Sequence, residues 1–122
     1  PNEWTTFHCC GCWTVLGDSL HLCSQQQRLG ILICLKVTKD VVWKKSLLVG
    51  LEGTLLGCTY YPLSCQSCGM VVGFILYSAT RRLAYLRGFF CFFMDRILCY
   101  ILKKQKTVRA SKVNFPDENV KE

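Results

Sequence analysis

The chain has 122 residues, enough for one domain that buries about two-thirds of the surface its unfolded form exposes. Hydrophobic residues make up 51% and charged residues 19%, a balance that excludes an intrinsically disordered segment. The formal charge of +7 suits a nucleic acid or an acidic protein surface as partner, and equally an ordinary solvated surface. Ten cysteines pose a choice between a secreted disulfide scaffold and a reduced protein that carries metal. The opening PNEWTTFHCCGC has no basic segment followed by an apolar run, so no signal peptide is legible. The wealth of Leu, Val, Ile and Phe also sets the chain apart from small disulfide scaffolds and favours a reduced intracellular protein.

In chain order, short strands are predicted over Trp13–Leu16, Ser19–Cys23, Leu29–Val37, Val41–Trp43, Ser46–Val49, Met70–Tyr77, Ala84–Phe93 and Ile97–Leu102. Turn signals separate them at Gly17-Asp18, Lys39-Asp40, Gly50 with Gly53, Tyr61-Pro62 and Asp95-Arg96. The uncharged stretch from Gly53 to Thr80 is broken by Pro62, Ser64, Gln66 and Ser67, and the segment from Ala84 to Leu102 contains Arg87, Asp95 and Arg96, so no membrane span is predicted. The run Phe89–Phe93 is apolar on both faces. It reads as a strand buried on two sides, or as an exposed patch that meets a partner. Lys103, Lys104, Lys106, Arg109 and Lys112 form a basic stretch, a final strand or a linker. Phe115-Pro116-Asp117-Glu118 then carries a helix-start signal.

The sharp chemical signal is the pair Cys9-x-x-Cys12 and Cys65-x-x-Cys68. A two-residue gap lets both thiolates of a tight turn face one ion, and two such knuckles supply the four sulfurs of a tetrahedral structural zinc. Gly69 follows the second pair, where positive φ lets N–H groups turn toward sulfur; Trp13 holds that place in the first, which predicts a looser turn. The 52 residues between the knuckles imply that the metal joins the start of the domain to its middle. Bound zinc would bring the net charge to about +5. Cys10, Cys23, Cys34, Cys58, Cys91 and Cys99 read as unligated thiols.

Catalysis finds little support. There are two histidines, His8 and His21; a His21–Cys91 dyad has nothing in the sequence to place it, and the acids form no carboxylate pair. Nucleic-acid binding has Lys44-Lys45, Arg81-Arg82, Arg87 and the 103–112 segment, with Trp43, Tyr85 and Tyr100 nearby. Trp4, Trp13 and Trp43 read as core before they read as an aromatic cage.

Four segments carry a resemblance. They are Phe7-x-Cys9-x-x-Cys12-x-x-x-Leu16-x-Asp18-Ser19, Leu48-Val49-Gly50-Leu51-Glu52-Gly53-Thr54, Cys65-x-x-Cys68-Gly69-x-x-Val72-Gly73-Phe74 and Leu86-Arg87-Gly88-x-Phe90-Cys91. In this order they resemble the Mis-eighteen family, most nearly its beta paralogue, from about Phe7 to Lys112. The resemblance implies a mainly β, Yippee-like (β-tent) fold of two antiparallel sheets pinned by zinc. Residues 1–6 would be an N-terminal extension, 7–112 the zinc domain, and 113–122 the start of a C-terminal helical region. It assigns the family's metal ligands to Cys9, Cys12, Cys65 and Cys68.

The resemblance also implies a non-enzymatic subunit of the nuclear, centromere-licensing complex that promotes deposition of the centromeric histone variant, centromere protein A. Its partners would be the alpha paralogue or a second copy, a Mis-eighteen-binding protein and the histone chaperone, with DNA contact weak. A sheet-face contact through Phe89–Phe93 is expected to support a dimer. The alternatives are a zinc-dependent nucleic-acid-binding domain, and a reductase of the methionine sulfoxide type, which would need a low-pKa cysteine with polar helpers.

Overall fold

The computed structural model of the chain describes residues 4–115, so the helix start predicted at Pro116 lies outside the described residues. Among these, eleven strands form two antiparallel sheets. The smaller holds β1 (Thr5–Cys9), β2 (Val15–Asp18), β10 (Ile97–Ile101) and β11 (Lys106–Arg109) in the order β11-β10-β1-β2. The larger holds β3 (Leu22–Gln26), β4 (Ile31–Cys34), β5 (Val41–Trp43), β6 (Leu48–Val49), β7 (Thr59–Cys65), β8 (Val71–Ser78) and β9 (Phe90–Phe93). Its order is β3-β4-β9-β8-β7-β5, with β6 also pairing β7.

Around β4 and β9 the larger sheet is buried on both faces, and the sequence shows why. Along β4, Leu32 and Cys34 join one core with Phe7, Leu16, Ile97 and Cys99 of the smaller sheet. Ile31 and Ile33 point the other way, into a second core with Phe74, Leu76, Leu55, Leu83 and Leu86. The period-two alternation continues in β9: Phe92, with Phe90 packed beside it, faces the first core, while Cys91 faces the second with Phe89 and Phe93. The run Phe89–Phe93 is thus a strand approach buried on two sides. It does not provide the exposed face on which a dimer contact was expected.

Several predicted elements shift. Trp13 and Thr14 belong to the turn before β2, and Ser19–His21 is a 3₁₀ turn capped by the Asp18 carboxylate, which accepts the His21 N–H. The long strand predicted over Ala84–Phe93 is instead a 3₁₀ helix, Arg81–Leu86, followed by β9. Leu83 and Leu86, three apart, bury together while Arg81, Arg82, Ala84 and Arg87 stay outside, the spacing that a 3₁₀ helix places on one side.

Two strands had no predicted counterpart. β1 starts at Thr5, inside the segment read as an extension, and pairs with β10 through Thr5↔Ile101 to Cys9↔Ile97. β7 crosses the Tyr61-Pro62 signal that reads as a turn. The basic stretch after Leu102 contains strand β11. Most of the uncharged stretch from Gly53 to Thr80 is the β7–β8 hairpin, and no helix among the described residues is long and apolar enough to cross a membrane.

Candidate metal centre

Two turns of one design face each other. In the first, the N–H of Cys9 donates to Thr14 O (2.9 Å) and that of Trp13 to Cys9 O (2.8 Å). In the second, Cys65 N–H donates to Met70 O (2.8 Å) and Gly69 N–H to Cys65 O (2.8 Å). Gly69 has φ 81° and Trp13 has φ 72°, so tryptophan adopts the left-handed conformation that glycine takes freely. The looser first turn expected from Trp13 is therefore not found. Its indole stacks on His8 with centroids 4.0 Å apart, and His8 Nδ1 lies 3.0 Å from Trp13 O, contacts that hold the strained residue.

These turns bring Cys9, Cys12, Cys65 and Cys68 together, with all four sulfurs within 4.8 Å of one another. Cys9 Sγ is 3.6 Å from Cys68 Sγ, and Cys12 Sγ is 3.5 Å from Cys65 Sγ. A tetrahedral zinc with bonds of about 2.3 Å spaces its sulfurs by about 3.8 Å, so the donor set and its size both fit. Burial pushes the Cys9 thiol up to about 12, against the N–H groups of Gly11 and Cys12, which draw it down. The Thr14 hydroxyl, 3.1 Å away, leads the groups that bring Cys12 down to about 6. Four thiolates around one zinc close its coordination and leave no position for water or substrate.

Sequence reasoning missed the groups that hold the two knuckles together. The carbonyl of Arg96, in the turn between β9 and β10, accepts from Cys10 N–H (3.0 Å), while its guanidinium donates to Val71 O (2.8 Å). Arg96 so links the first knuckle to the strand that leaves the second. Met70 lies between them, its sulfur 3.6 Å from Cys10 Sγ, and a Cβ on Gly11 would press on its methyl. The Cys-x-x-Cys spacing shows the ligands but says nothing of a bridging arginine 28 residues beyond Cys68 in sequence.

The other candidates stay apart. No disulfide joins any of the ten cysteines, and Cys23, Cys34, Cys58, Cys91 and Cys99 are buried among apolar side chains. His21 pairs with Asp18 at 3.1 Å, and Cys91 lies in the second core with its thiol pushed up to about 12 by burial. The core positions expected for Trp4, Trp13 and Trp43 are not found, for all three are exposed; Trp13 stacks on His8 and Trp43 lies edge-on to Tyr61 (5.1 Å), so their rings face those neighbours.

Comparisons with known proteins agree with this geometry. The family described as "Yippee zinc-binding/DNA-binding /Mis18, centromere assembly" matches residues 5–112. Protein Mis18-alpha of Plecturocebus moloch is 27% identical over 96 residues, and that of Otolemur garnettii 29% identical over 96 residues. Each match covers 79% of this chain but only 41% of the relative, so the chain spans about two-fifths of their length. The crystal structure of a Mis18 'Yippee-like' domain superposes with a TM-score of 0.71 at 23% identity, covering 80% of this chain and 96% of that one. The C-terminal domain of Caenorhabditis elegans Dicer-related helicase 3, solved with a 5'-triphosphate 8-mer single-stranded RNA, superposes at 0.57 with 12% identity, over 88% of this chain and 61% of that one. At those identities the two structures establish the fold alone. With the family matched over residues 5–112 and a four-cysteine set of zinc dimensions, the chain belongs to the Yippee–Mis18 family of zinc-binding domains.

Proposed function

We propose that this chain is a non-enzymatic structural and interaction subunit of a nuclear centromere-licensing complex, one that promotes deposition of the centromeric histone variant. The observation that carries the reading is the family match over residues 5–112, on a domain whose cysteine cluster spans two sheets. Cys9, Cys12, Cys65 and Cys68 are its zinc ligands, and the ion clamps the β1–β2 turn of the smaller sheet to the β7–β8 turn of the larger. The partners in this reading are the Mis18 alpha paralogue or a second copy, a Mis18-binding protein and the histone chaperone. Both curated relatives are alpha proteins, 27% and 29% identical to this chain.

The surface suited to such a contact is the edge around β6. Leu47, Leu48, Val49, Leu51 and Leu56 are all exposed there, Leu51 to 82%. Co-expression with the alpha paralogue is expected to yield a complex that Leu51→Glu with Leu56→Glu weakens at least about tenfold, the effect of placing charges in an apolar contact. Light scattering and co-purification check it. Failure of the unsubstituted chain to associate with the alpha paralogue, or to accumulate at centromeres in cells, would overturn the proposal.

A second reading, a zinc-dependent nucleic-acid-binding domain, is favoured by the family's description and by the RNA-bound neighbour. Submicromolar, sequence-specific DNA binding that falls steeply with salt would promote it over the first.

A further inference from the structure

β8 outruns the strand beside it. It has eight residues, yet β9 pairs with it only at Gly73↔Phe92 and Phe74↔Cys91. From Ile75 to Ser78 its partner is β7, through Tyr61↔Ile75, Tyr60↔Leu76 and Thr59↔Ser78. On its other side the chain leaves the sheet for the 3₁₀ helix Arg81–Leu86 and returns through Gly88, which has φ 89°. The space so left is a shallow groove of about 750 Å³, largely open to solvent. Leu76, Tyr77 and Ser78 line one side, and Ala84, Arg87 and Gly88 the other.

Two properties of this slot define its occupant. The first is backbone. A strand directs alternate N–H and C=O groups to each edge, so four residues without a neighbouring strand offer half a ladder to another chain. The second is charge. Arg87 is exposed, and its guanidinium has no ion pair or hydrogen bond among the described residues. No Asp or Glu occurs between Glu52 and Asp95, a stretch that holds Arg81, Arg82 and Arg87. Tyr77, 56% exposed, ends an aromatic row that runs through Tyr61 (6.0 Å) to Trp43, and gives the apolar face of an incoming strand a surface to lie on.

We propose that the slot binds an extended acidic segment of a partner protein, which adds to β8 as a strand along Ile75–Ser78 and sets a carboxylate against Arg87. A nucleic acid would satisfy the charge but has no ladder of alternating donors and acceptors to match the strand. The site is separate from the apolar β6 edge, so the two contacts stand or fall independently.

The test uses the zinc-loaded protein and four fluorescein-labelled probes read by anisotropy. They are a decapeptide of alternating valine and glutamate, its valine–lysine counterpart, a fully N-methylated valine–glutamate version, and a ten-nucleotide oligothymidylate. The acidic peptide is expected to bind saturably and the lysine peptide not. N-methylation, which keeps the charge and removes every N–H, should abolish binding. Arg87→Glu should weaken the acidic peptide by roughly ten- to a hundredfold, the loss expected for one charge-assisted hydrogen bond, while zinc content and association with the alpha paralogue stay unchanged. No saturable binding of the acidic peptide overturns the proposal. So does an N-methylated peptide that binds as well as its parent, an Arg87→Glu variant with unchanged affinity, or oligothymidylate binding tighter than the peptide.

Discussion

Replacing Cys65 by serine should unfold the domain, whereas the same change at Cys34 should not. Both thiols are buried, at 1% and 0% exposure, so burial alone does not separate them. Their roles do. Cys65 Sγ stands 3.5 Å from Cys12 Sγ within the four-sulfur cluster, and that cluster links strands of different sheets. Structural zinc contributes apparent binding of about 10–16 kcal/mol, while the net stability of a small domain is about 5–15 kcal/mol. Losing a ligand that forfeits most of the first term removes all of the second. Cys34→Ser leaves the cluster whole and places a hydroxyl among apolar neighbours, at about 1–3 kcal/mol, a fall in Tm of roughly 5–15 °C. Metal content of the reduced, gel-filtered protein and thermal unfolding with and without a chelator decide it. Wild type and Cys34→Ser should hold one zinc per chain, and Cys65→Ser should hold none and show no cooperative transition. A folded, reduced wild-type domain without zinc, or a Cys65→Ser variant melting near the wild-type midpoint, would refute the reasoning.

Alkylation of the zinc-loaded protein with iodoacetamide should modify Cys10 alone, the exposed cysteine outside the cluster, as mass mapping can show. When zinc is withdrawn the fold should be lost with it, so the five thiols now buried outside the cluster should become reactive as well. Alkali should destabilise the fold: burial raises Cys91 and Cys99 from 9.0 to about 12. Between those values the unfolded chain has released protons that the folded one retains, so stability falls as pH rises. The thermal midpoint should be level from about pH 7 to 8.5 and decline above about 9, and a midpoint that holds or climbs to pH 10.5 contradicts this. Gly73→Ala should cost about 1–3 kcal/mol by denaturant titration, because its Cβ would overlap the Cys91 carbonyl across the β8–β9 pairing. Gly30→Ala, with φ 71° and no atom within 4 Å, meets only backbone strain of about 1 kcal/mol.

The metal set was legible because its signal is local: each knuckle is a four-residue pattern, and the pattern occurs twice. What the sequence hid depends on distant partners. Thr5–Cys9 has no clear alternation of its own and becomes a strand by pairing with β10, more than 80 residues away. β7 was masked by Pro62, a residue that normally argues against a central strand. β5 pairs with Leu63–Cys65 and β6 with Thr59–Tyr60, so Pro62 falls in the gap between them, where a missing N–H breaks no ladder on that edge. Trp13 misled for the opposite reason. Sequence reasoning assigned the left-handed position to glycine, and the stack on His8 lets a bulky residue occupy it.

Where two sheets pack on each other and the larger is covered again by a second core, margins are the natural places to dock a partner, and most margins of the two sheets are closed. The outer edge of β2 is covered where Thr38 donates its N–H to Leu16 O (2.9 Å) and its hydroxyl to Val15 O (2.8 Å). The edge of the smaller sheet at β11 carries exposed Lys106 and Arg109, which discourage pairing with another strand. Beside β3, Gln25 ties down the chain after β11, donating to Val113 O (2.6 Å) and accepting from Phe115 N–H (2.8 Å). Phe115 in turn packs edge-on to Phe7 at 5.8 Å. Two margins lack such cover. One is the broken β5–β6 edge with its exposed leucines, and the other is the slot beside β8. The first is apolar and the second basic with a bare strand edge, so they suit different partners. Under the proposed function, holding a paralogue and recruiting a further protein calls for two unlike surfaces, and these two margins, among the described residues, meet that need.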